Sequence, residues 1–342
     1  MTGTTDPGTD ESWRASHRGL VVVLGVQVVI GAALLIWVAM GRPVPGLVQN
    51  ADGKGNPNAT TPVPTTNHFD GAYAFALLQR QVEHYGPRPA GSAKSYALAK
   101  DLVKRLPNGT FEPVPEPDHN VIKRADGSFY TAPHTLRNIV GTLPGKGAPI
   151  VIGAHYDTEA SIPGHVGAND GAAGTAAVVE LARALSTIDR GPSAPPLRFV
   201  LFDGEEEPGN KPDPKVFESV ALRGSKFEAE HQPKPQAMIL LDYIAQAKGL
   251  RLPREGFSDK TIWKKLQAAS VQVGTQRIFP NGTGEPILDD HYPFRGAGIP
   301  AIDLIDWDYP VADTLQDDIH HVSELSLDAV GETVLQMLRT WR

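Results

Sequence analysis

Hydrophobic and polar positions divide the chain into an uninterrupted hydrophobic segment, a polar segment and a long body. Residues 20–40 carry no charge. At about 1.5 Å per residue, a helix of this length reaches about 30 Å, the thickness of a bilayer's hydrocarbon core. The hydrophobic core of a cleaved signal peptide is shorter, with about 7–15 residues. We therefore predict a transmembrane signal anchor over residues 20–40.

The residues that flank this segment indicate its orientation. Arg14 and Arg18 precede it, and a single arginine follows it closely. Because positive residues concentrate on the cytoplasmic side of a membrane, we expect residues 1–19 to be a cytoplasmic tail and the body to lie outside the cytoplasm. Residues 41–66 are rich in Pro, Gly, Asn and Thr and lack a hydrophobic period, which is typical of a flexible linker. The body is expected over residues 67–342.

Hydrophobic positions in the body alternate between helical and strand periods, which is typical of an α/β fold. The expected helices cover residues 71–85, 92–106, 171–187, 259–271 and 325–338. The expected strands cover residues 138–140, 149–154, 197–202, 237–241 and 299–304. Because these strands are nearly continuous hydrophobic runs, they are expected to be buried on both faces. We predict a three-layer sandwich with a mostly parallel central sheet, preceded by one transmembrane helix.

Composition excludes several classes of protein. The 342 residues include no cysteine, which excludes a disulfide scaffold, a cysteine nucleophile and a metal site built on thiolates. The chain has 39 acidic and 32 basic residues, a formal net charge of -7, and no basic cluster that favours nucleic acid as a partner. Any metal therefore depends on histidine, carboxylates or backbone carbonyl groups.

Histidine and acidic residues follow the predicted strands. His155 follows one strand, Glu205 and Glu206 lie in the turn after a second, and Asp242 follows a third. Asp170 lies in the motif GAND, immediately before a helix. Ligands of open α/β sheets bind outside the carboxyl ends of the strands. We therefore expect these side chains to form the functional site.

Two later segments add further carboxylates, with Asp289 in LDDHYPF and Asp313 in YPVADT. Carboxylates that converge from separate strands repel each other, and a divalent cation is the natural counter-charge. Imidazole and carboxylate ligands favour zinc, with manganese or cobalt as alternatives. The neighbouring glutamates Glu205 and Glu206 suit such a centre, since one can bind metal while the other moves protons. The alternative for this pair is a solvated acidic loop.

Several segments together resemble the zinc-dependent exopeptidases of the bacterial leucyl aminopeptidase type, and within them the glutaminyl-peptide cyclotransferases. They are GAHYDT, GANDGAAGTAAVVELARAL, LRFVLFDGEEE, ALRGSKF, LLDYIA and LDDHYPFRGAGIPAIDLI. The resemblance covers about residues 69–342. It implies an enzyme that acts on peptide or protein N-termini, either cyclising N-terminal Gln with release of ammonia or hydrolysing N-terminal residues with two zinc ions. A binding ectodomain with weakened catalysis is a third alternative.

The resemblance also implies roles for individual residues. Asp170 and Glu206 match zinc ligands, and Glu205 matches the general acid/base. His155 and Asp242 match ligands of the second zinc in the dizinc aminopeptidases.

The cyclase branch implies a different role for one of these carboxylates. One zinc suffices there, and Asp242 would form a hydrogen bond with Asp289, so that both act in catalysis. Asp157 would orient His155 through its other ring nitrogen.

One position departs from the family pattern. The family's last zinc ligand is the histidine of a Trp-His-Thr stretch, and this chain has Ala312 and Asp313 there. Asp313 is the expected ligand in its place, although His165, His320 or His321 could substitute. Three carboxylates around one zinc leave a net charge of about -1, so the change favours a two-metal centre. The missing tryptophan removes an aromatic wall expected around the first residue of the substrate.

Overall fold

The computed structural model describes residues 59–115, 121–123, 127–131, 134–208, 216–231 and 233–341. The predicted tail, the predicted transmembrane segment and most of the predicted linker lie outside these ranges. Among the helices of the described ranges, none has both the length and the hydrophobicity to cross a membrane.

Within the described residues, six strands form one mixed sheet in the order β1-β4-β6-β5-β7-β8. These strands are β1 Thr110–Pro113, β4 Arg137–Leu143, β5 Ile150–His155, β6 Leu197–Phe202, β7 Ala237–Leu241 and β8 Ala301–Leu304. A separate antiparallel pair consists of β2 Val121–Lys123 and β3 Phe129–Thr131. All five predicted strands are present. The sequence did not indicate β1, a short edge strand that is largely exposed and therefore has no hydrophobic pattern.

The strands β6, β5, β7 and β8 are parallel neighbours, whereas β4 is antiparallel to both β1 and β6. The predicted α/β fold is confirmed, with a sheet that is parallel over these four strands and antiparallel at one side. Because the four strands point the same way, their carboxyl ends lie at one edge. The segments that follow β5, β6, β7 and β8 therefore meet there.

The helices pack on both faces of this sheet. They are α1 Gly71–Gln79, α2 Ala93–Leu102, α3 Gly174–Leu185, α4 Phe217–Val220, α5 Arg223–Ala229, α6 Lys260–Val273, α7 His291–Gly296 and α8 Glu324–Arg339. Residues Arg80–Tyr85 and Ala168–Ala173 form π-helical turns, and Gln276–Ile278 forms a 3₁₀ turn. The five predicted helices are present with shifted ends. The helices α4, α5 and α7 are too short to produce a helical period in the sequence.

Successive residues of the central strands alternate between two hydrophobic clusters. Ile150 and Ile152 of β5 pack with residues of α1, α3, α6 and α8, whereas Val151 packs in a cluster that contains Ala229 of α5 and Phe294 of α7. Both faces are therefore covered, which explains why these strands are continuous hydrophobic runs.

The end of the predicted linker is attached to the body. The backbone N–H of Thr65 donates to the carbonyl of Val273 at 2.9 Å, and the hydroxyls of Thr61 and Ser326 lie 2.9 Å apart. Residues 59–66 thus differ from the flexible linker that their composition predicts, because neighbouring helices satisfy their polar groups.

Candidate metal centre

The site lies at the edge where the parallel strands end. His155 is the last residue of β5, Asp242 follows β7 directly, and the turn after β6 carries Glu205 and Glu206. These side chains are buried or nearly so. The structure therefore brings together the residues that the sequence predicts at the strand ends.

A sharp bend in the backbone presents Asp170 to this edge. Gly167 and Gly171 have φ values of 51° and 86°, in the left-handed region that favours glycine, and Asp170 between them leaves the helical conformation. A Cβ atom at Gly171 would lie 2.9 Å from Cε1 of His155. Glycine is therefore required at this position for the close approach of Asp170 and His155.

The distances from His155 to two aspartates are close to those between ligands that share one metal ion. His155 Nε2 lies 3.0 Å from Oδ1 of Asp170 and 3.6 Å from Oδ1 of Asp242. Ligands that lie about 2.0–2.2 Å from a tetrahedral zinc ion are separated by about 3.3–3.6 Å. One ligand atom each from His155, Glu205 and Glu206 also falls within a common 4.8 Å. The nitrogen and oxygen donors of these side chains thus fit a zinc ion.

Burial raises the pKa of several carboxyl groups in the centre. The pKa values of Glu205 and Glu206 lie well above their usual range because of burial and repulsion from neighbouring carboxylates. Burial raises the pKa of Asp242 to about 6, and burial together with the charge of Asp242 raises that of Asp289 to about 7. A cation at this edge would relieve the repulsion and keep the ligand carboxylates ionised.

His155 and Asp170 behave as a charged pair. Burial alone would lower the pKa of His155, but the carboxylates of Asp157, Asp170 and Asp242 outweigh it and raise that pKa well above its usual value. Burial would raise the pKa of Asp170, but His155 and His165 outweigh it and lower that pKa. Excess negative charge around one imidazole is what a bound divalent cation would balance.

Asp157 has a different main role from the one that the resemblance implies. Its Oδ1 lies 3.8 Å from Nδ1 of His155, which is longer than a hydrogen bond. The same carboxylate accepts hydrogen bonds from the backbone N–H groups of Gly204, Glu205 and Glu206, at 3.0–3.3 Å. Asp157 therefore holds the turn that carries both glutamates.

The side chain of Tyr243 lies between Asp313 and Asp170 and contacts both. The hydroxyl of Tyr243 donates to Oδ2 of Asp170 at 3.1 Å and lies 3.5 Å from Oδ1 of Asp313. Asp313 is half-buried and has a φ of 50°. It does not share a 4.8 Å group with Asp170 or Glu206 among the described residues, so its role as a ligand stays a prediction.

The histidines weighed as substitutes lie in different places. His165 is buried, with Nε2 3.6 Å from Oδ2 of Asp170 and Nδ1 2.9 Å from the carbonyl of Thr314. His320 is exposed, and Nδ1 of His321 lies 3.0 Å from Asp318. Of these three residues, His165 is the one beside the centre.

Sequence reasoning missed two residues that shape the centre. Asp317 accepts hydrogen bonds from the backbone N–H groups of Asn169 and Asp170 at 2.9 and 3.0 Å. Arg88 is fully buried and donates to the carbonyl groups of Tyr156 and Gly167 at 2.8 and 3.0 Å. The signal for Arg88 was its place in GPRPAGS, where a buried arginine must find carbonyl or carboxylate partners.

Aromatic side chains cluster beside the position where the family has its tryptophan. Ala312 packs against a cluster that contains Tyr243, Trp307 and Tyr309. The rings of Trp307 and Tyr309 lie 6.4 and 5.7 Å from that of Tyr243. Aromatic side chains from other positions therefore lie beside Asp313.

Comparisons with known proteins give relatives with two activities. The chain is 26% identical to aminopeptidase YwaD of Bacillus subtilis over 220 residues, 58% of this chain and 43% of the relative. It is 26% identical to the glutaminyl-peptide cyclotransferase of Boiga irregularis over 239 residues, 59% of this chain and 64% of the relative. The chain thus spans less than two thirds of these curated relatives.

A solved structure matches a larger share of the chain. It is that of Porphyromonas gingivalis glutaminyl cyclase, with a TM-score of 0.65 and 27% identity, covering 80% of this chain and 99% of that one. The sequence profile of peptidase family M28 matches residues 138–338, which include the strands β5 to β8, all of β4 except its first residue, and most of the centre. Since that match covers more than half of the residues, the chain belongs to peptidase family M28.

Proposed function

We propose that this protein is a zinc-dependent glutaminyl-peptide cyclotransferase-like enzyme, which converts the N-terminal Gln of peptides to pyroglutamate and releases ammonia. The observation that carries the proposal is the buried Glu205 beside His155 and Glu206, with a pKa well above the usual range. A carboxyl group with a raised pKa both accepts and returns a proton near neutral pH. The similarity to glutaminyl cyclases supports the same activity.

Asp170, Glu206 and Asp313 are the residues that would hold zinc in this reaction, and His155 and Asp242 would hold a second zinc where two are bound. Zinc, when bound, supplies the positive charge that polarises the γ-carboxamide of the substrate. Glu205 takes a proton from the α-amino group, whose nitrogen forms a bond to the carbonyl carbon of the γ-carboxamide (Cδ). Glu205 then gives that proton to the departing ammonia. The bond between this carbonyl carbon and the amide nitrogen breaks, and no water is consumed.

Asp242 and Asp289 would hold the α-amino group while this transfer occurs. Their raised pKa values, about 6 and about 7, suit two carboxyl groups that share one proton near neutral pH. Oδ2 of Asp289 is buried and accepts no hydrogen bond within the described part of the chain.

Hydrolysis of N-terminal residues is the second candidate function. The specific observation in its favour is the short distance of His155 Nε2 from both Asp170 and Asp242, the ligand set that the dizinc resemblance implies. Glu205 would then take the proton of the attacking water. The number of zinc ions bound at this centre, one or two, separates the two candidates.

We also propose that residues 20–40 anchor the enzyme in a membrane, with the body outside the cytoplasm. Support comes from the length of the uncharged segment and from the arginines that precede it. Peptide and protein N-termini on that side would be its substrates.

The decisive experiment uses purified full-length protein with Gln-initiated and Leu-initiated peptides, with and without a chelator, and reads products by mass spectrometry. Cyclisation gives a product lighter by one ammonia, whereas hydrolysis gives a peptide shorter by one residue. We expect the first product from the Gln-initiated peptide, and we expect the chelator to abolish it. A shortened Leu-initiated peptide with no cyclised product would favour the second candidate. Absence of both products would leave the binding ectodomain.

A further inference from the structure

A second group of buried ionisable side chains lies beside Asp289. His291 is the first residue of α7, Asp303 lies in β8, and Glu255 lies in the segment before α6. Each of these four side chains is at most 3% exposed. None of the functions proposed above uses His291, Asp303 or Glu255.

Both ring nitrogens of His291 face carboxylates without forming a hydrogen bond in the described part of the chain. Nε2 lies 3.2 Å from Oε2 of Glu255, and Nδ1 lies 3.7 Å from Oδ2 of Asp303. Glu255 is fixed in this position because its other oxygen accepts the backbone N–H groups of Phe257 and Ile287 at 2.6 and 2.8 Å. An imidazole that is fully buried between two carboxylates and forms no hydrogen bond with either requires a specific explanation.

The position of Glu255 decides which nitrogen of His291 carries the proton in the neutral ring. A carboxylate 3.2 Å from Nε2 favours the proton on Nε2, so the lone pair lies on Nδ1. This lone pair faces Asp303, and one ligand atom each of Asp289, His291 and Asp303 lies within a common 4.8 Å. Oδ2 of Asp289 and both carboxylate oxygens of Asp303 also accept no hydrogen bond there. A lone pair and two carboxylates in so small a volume repel each other unless a metal ion or a shared proton lies between them.

We propose that Asp289, His291 and Asp303 form a second buried cation site, distinct from the centre at His155, for a divalent transition metal of the zinc or manganese class. A separation of 3.7 Å is too long for a hydrogen bond but close to that of two ligands of one zinc ion, about 3.3–3.6 Å. Glu255 would then orient His291 through Nε2, the ring nitrogen that does not bind the ion. Carboxylates commonly orient metal-binding histidines in this way.

Asp289 links this site to the proposed substrate pocket. An ion held by Asp289 would fix the orientation of that carboxyl group and leave the shared proton on Asp242. Binding of an ion at these three residues does not require the cyclisation reaction. A measurement of zinc content can therefore fail or succeed independently of the proposed function.

The test compares the zinc content of full-length wild type with that of Asp303→Asn and His291→Gln. Each protein is saturated with zinc chloride, passed through gel filtration and analysed by inductively coupled plasma mass spectrometry. We expect both variants to hold one zinc equivalent fewer than wild type. Asp306→Asn is the matched control, since Asp306 is equally buried but lies outside the group and accepts the N–H of Arg251. It is expected to keep the wild-type content.

Unchanged zinc content in either variant would overturn the proposal. The thermal stability of the metal-free proteins decides the case in which a variant folds poorly. Asparagine has the shape of aspartate and removes one of the crowded charges, so metal-free Asp303→Asn should unfold at a temperature at least as high as metal-free wild type. A lower temperature would mean that the group holds a proton shared by carboxyl groups, and the cation site would be wrong.

Discussion

The hydroxyl of Tyr243 lies 3.1 Å from Oδ2 of Asp170 and 3.5 Å from Oδ1 of Asp313. It therefore connects the carboxylate in the GAND motif to the position where this chain departs from the family pattern. Tyr243 has a φ of 45°, a strained conformation for an aromatic residue, and it follows Asp242 directly. This strained backbone places the hydroxyl of Tyr243 within reach of both Asp170 and Asp313.

Tyr243→Phe is expected to weaken zinc binding about 10–100-fold, the usual effect of removing a hydrogen bond to a ligand. Competition with a chromogenic chelator measures this affinity. Tyr85→Phe is the matched control, because the hydroxyl of Tyr85 donates to Asp101, a carboxylate outside the centre. Equal affinities for the two variants would show that the hydroxyl of Tyr243 does not support the centre.

Asp313→His tests whether residue 313 is a ligand. A neutral imidazole in place of a carboxylate reduces the negative charge around the zinc, which increases its ability to polarise a carbonyl group. We expect tighter zinc binding, faster turnover or both. The exposed Asp308 offers a control, since Asp308→His adds the same side chain away from the centre. If Asp313→His changes neither quantity, Asp313 is not the substituted ligand.

Glu205→Gln is expected to lower the rate of cyclisation about 10²–10⁴-fold, because glutamine cannot accept and return the proton. Zinc content should stay at the wild-type level, since the expected ligand in this turn is Glu206. Glu207→Gln, in the same acidic run, is expected to retain most of the activity. Loss of zinc together with activity in Glu205→Gln would instead assign Glu205 as a ligand.

Arg88→Lys is expected to destabilise the fold by about 2–4 kcal/mol and to weaken zinc binding. Lysine presents one ammonium group in place of a fork, so it cannot reach all the buried carbonyl groups that Arg88 binds, and unsatisfied carbonyls cost about 1–3 kcal/mol each. Thermal unfolding and chelator competition measure the two effects. Arg190→Lys is the control, since Arg190 donates to the carbonyls of Pro144 and Pro195 away from the centre. It should lower stability without changing zinc affinity.

The pH dependence of stability has a predictable contribution from Asp328 in α8. Burial, followed by the charges of Glu332 and Glu324, raises its pKa to about 6. The folded state thus binds more protons than the unfolded state between about pH 4 and pH 6, so this contribution to the unfolding free energy falls as pH rises through that range. Asp328→Asn removes the dependence, and its unfolding temperature relative to wild type should rise from pH 4 to pH 7.

Asp318 provides a control of opposite sign for this measurement. Burial would raise its pKa, but the hydrogen bond with His321 outweighs this and lowers it. Asp318 therefore stabilises the fold above its usual pKa and loses that effect as pH falls. Asp318→Asn should be less stable than wild type at pH 7 and at pH 5, and the difference should shrink as pH falls below about 4. Identical pH trends for the two variants would contradict both assignments.

The strands and long helices were predictable because each is a hydrophobic run or a periodic pattern of sufficient length. The positions of His155 and Asp242 were also predictable, since parallel strands bring their carboxyl ends to one edge. Asp317 was not predictable, because it acts by accepting two backbone N–H groups from a segment almost 150 residues away. The group at His291 was missed for a similar reason: Glu255 has no neighbouring motif, and only the folded chain brings it to the ring.

The order of the strands in the sheet differs from their order in the chain, with β5 between β6 and β7. His155, Glu206 and Asp242 therefore come within reach of one another only after three separate segments have paired. Zinc has no assembled site to bind before that stage, so it cannot guide the early steps of folding. Its expected kinetic effect is a longer lifetime of the finished fold, with refolding from denaturant proceeding at the same rate in the presence or absence of the ion.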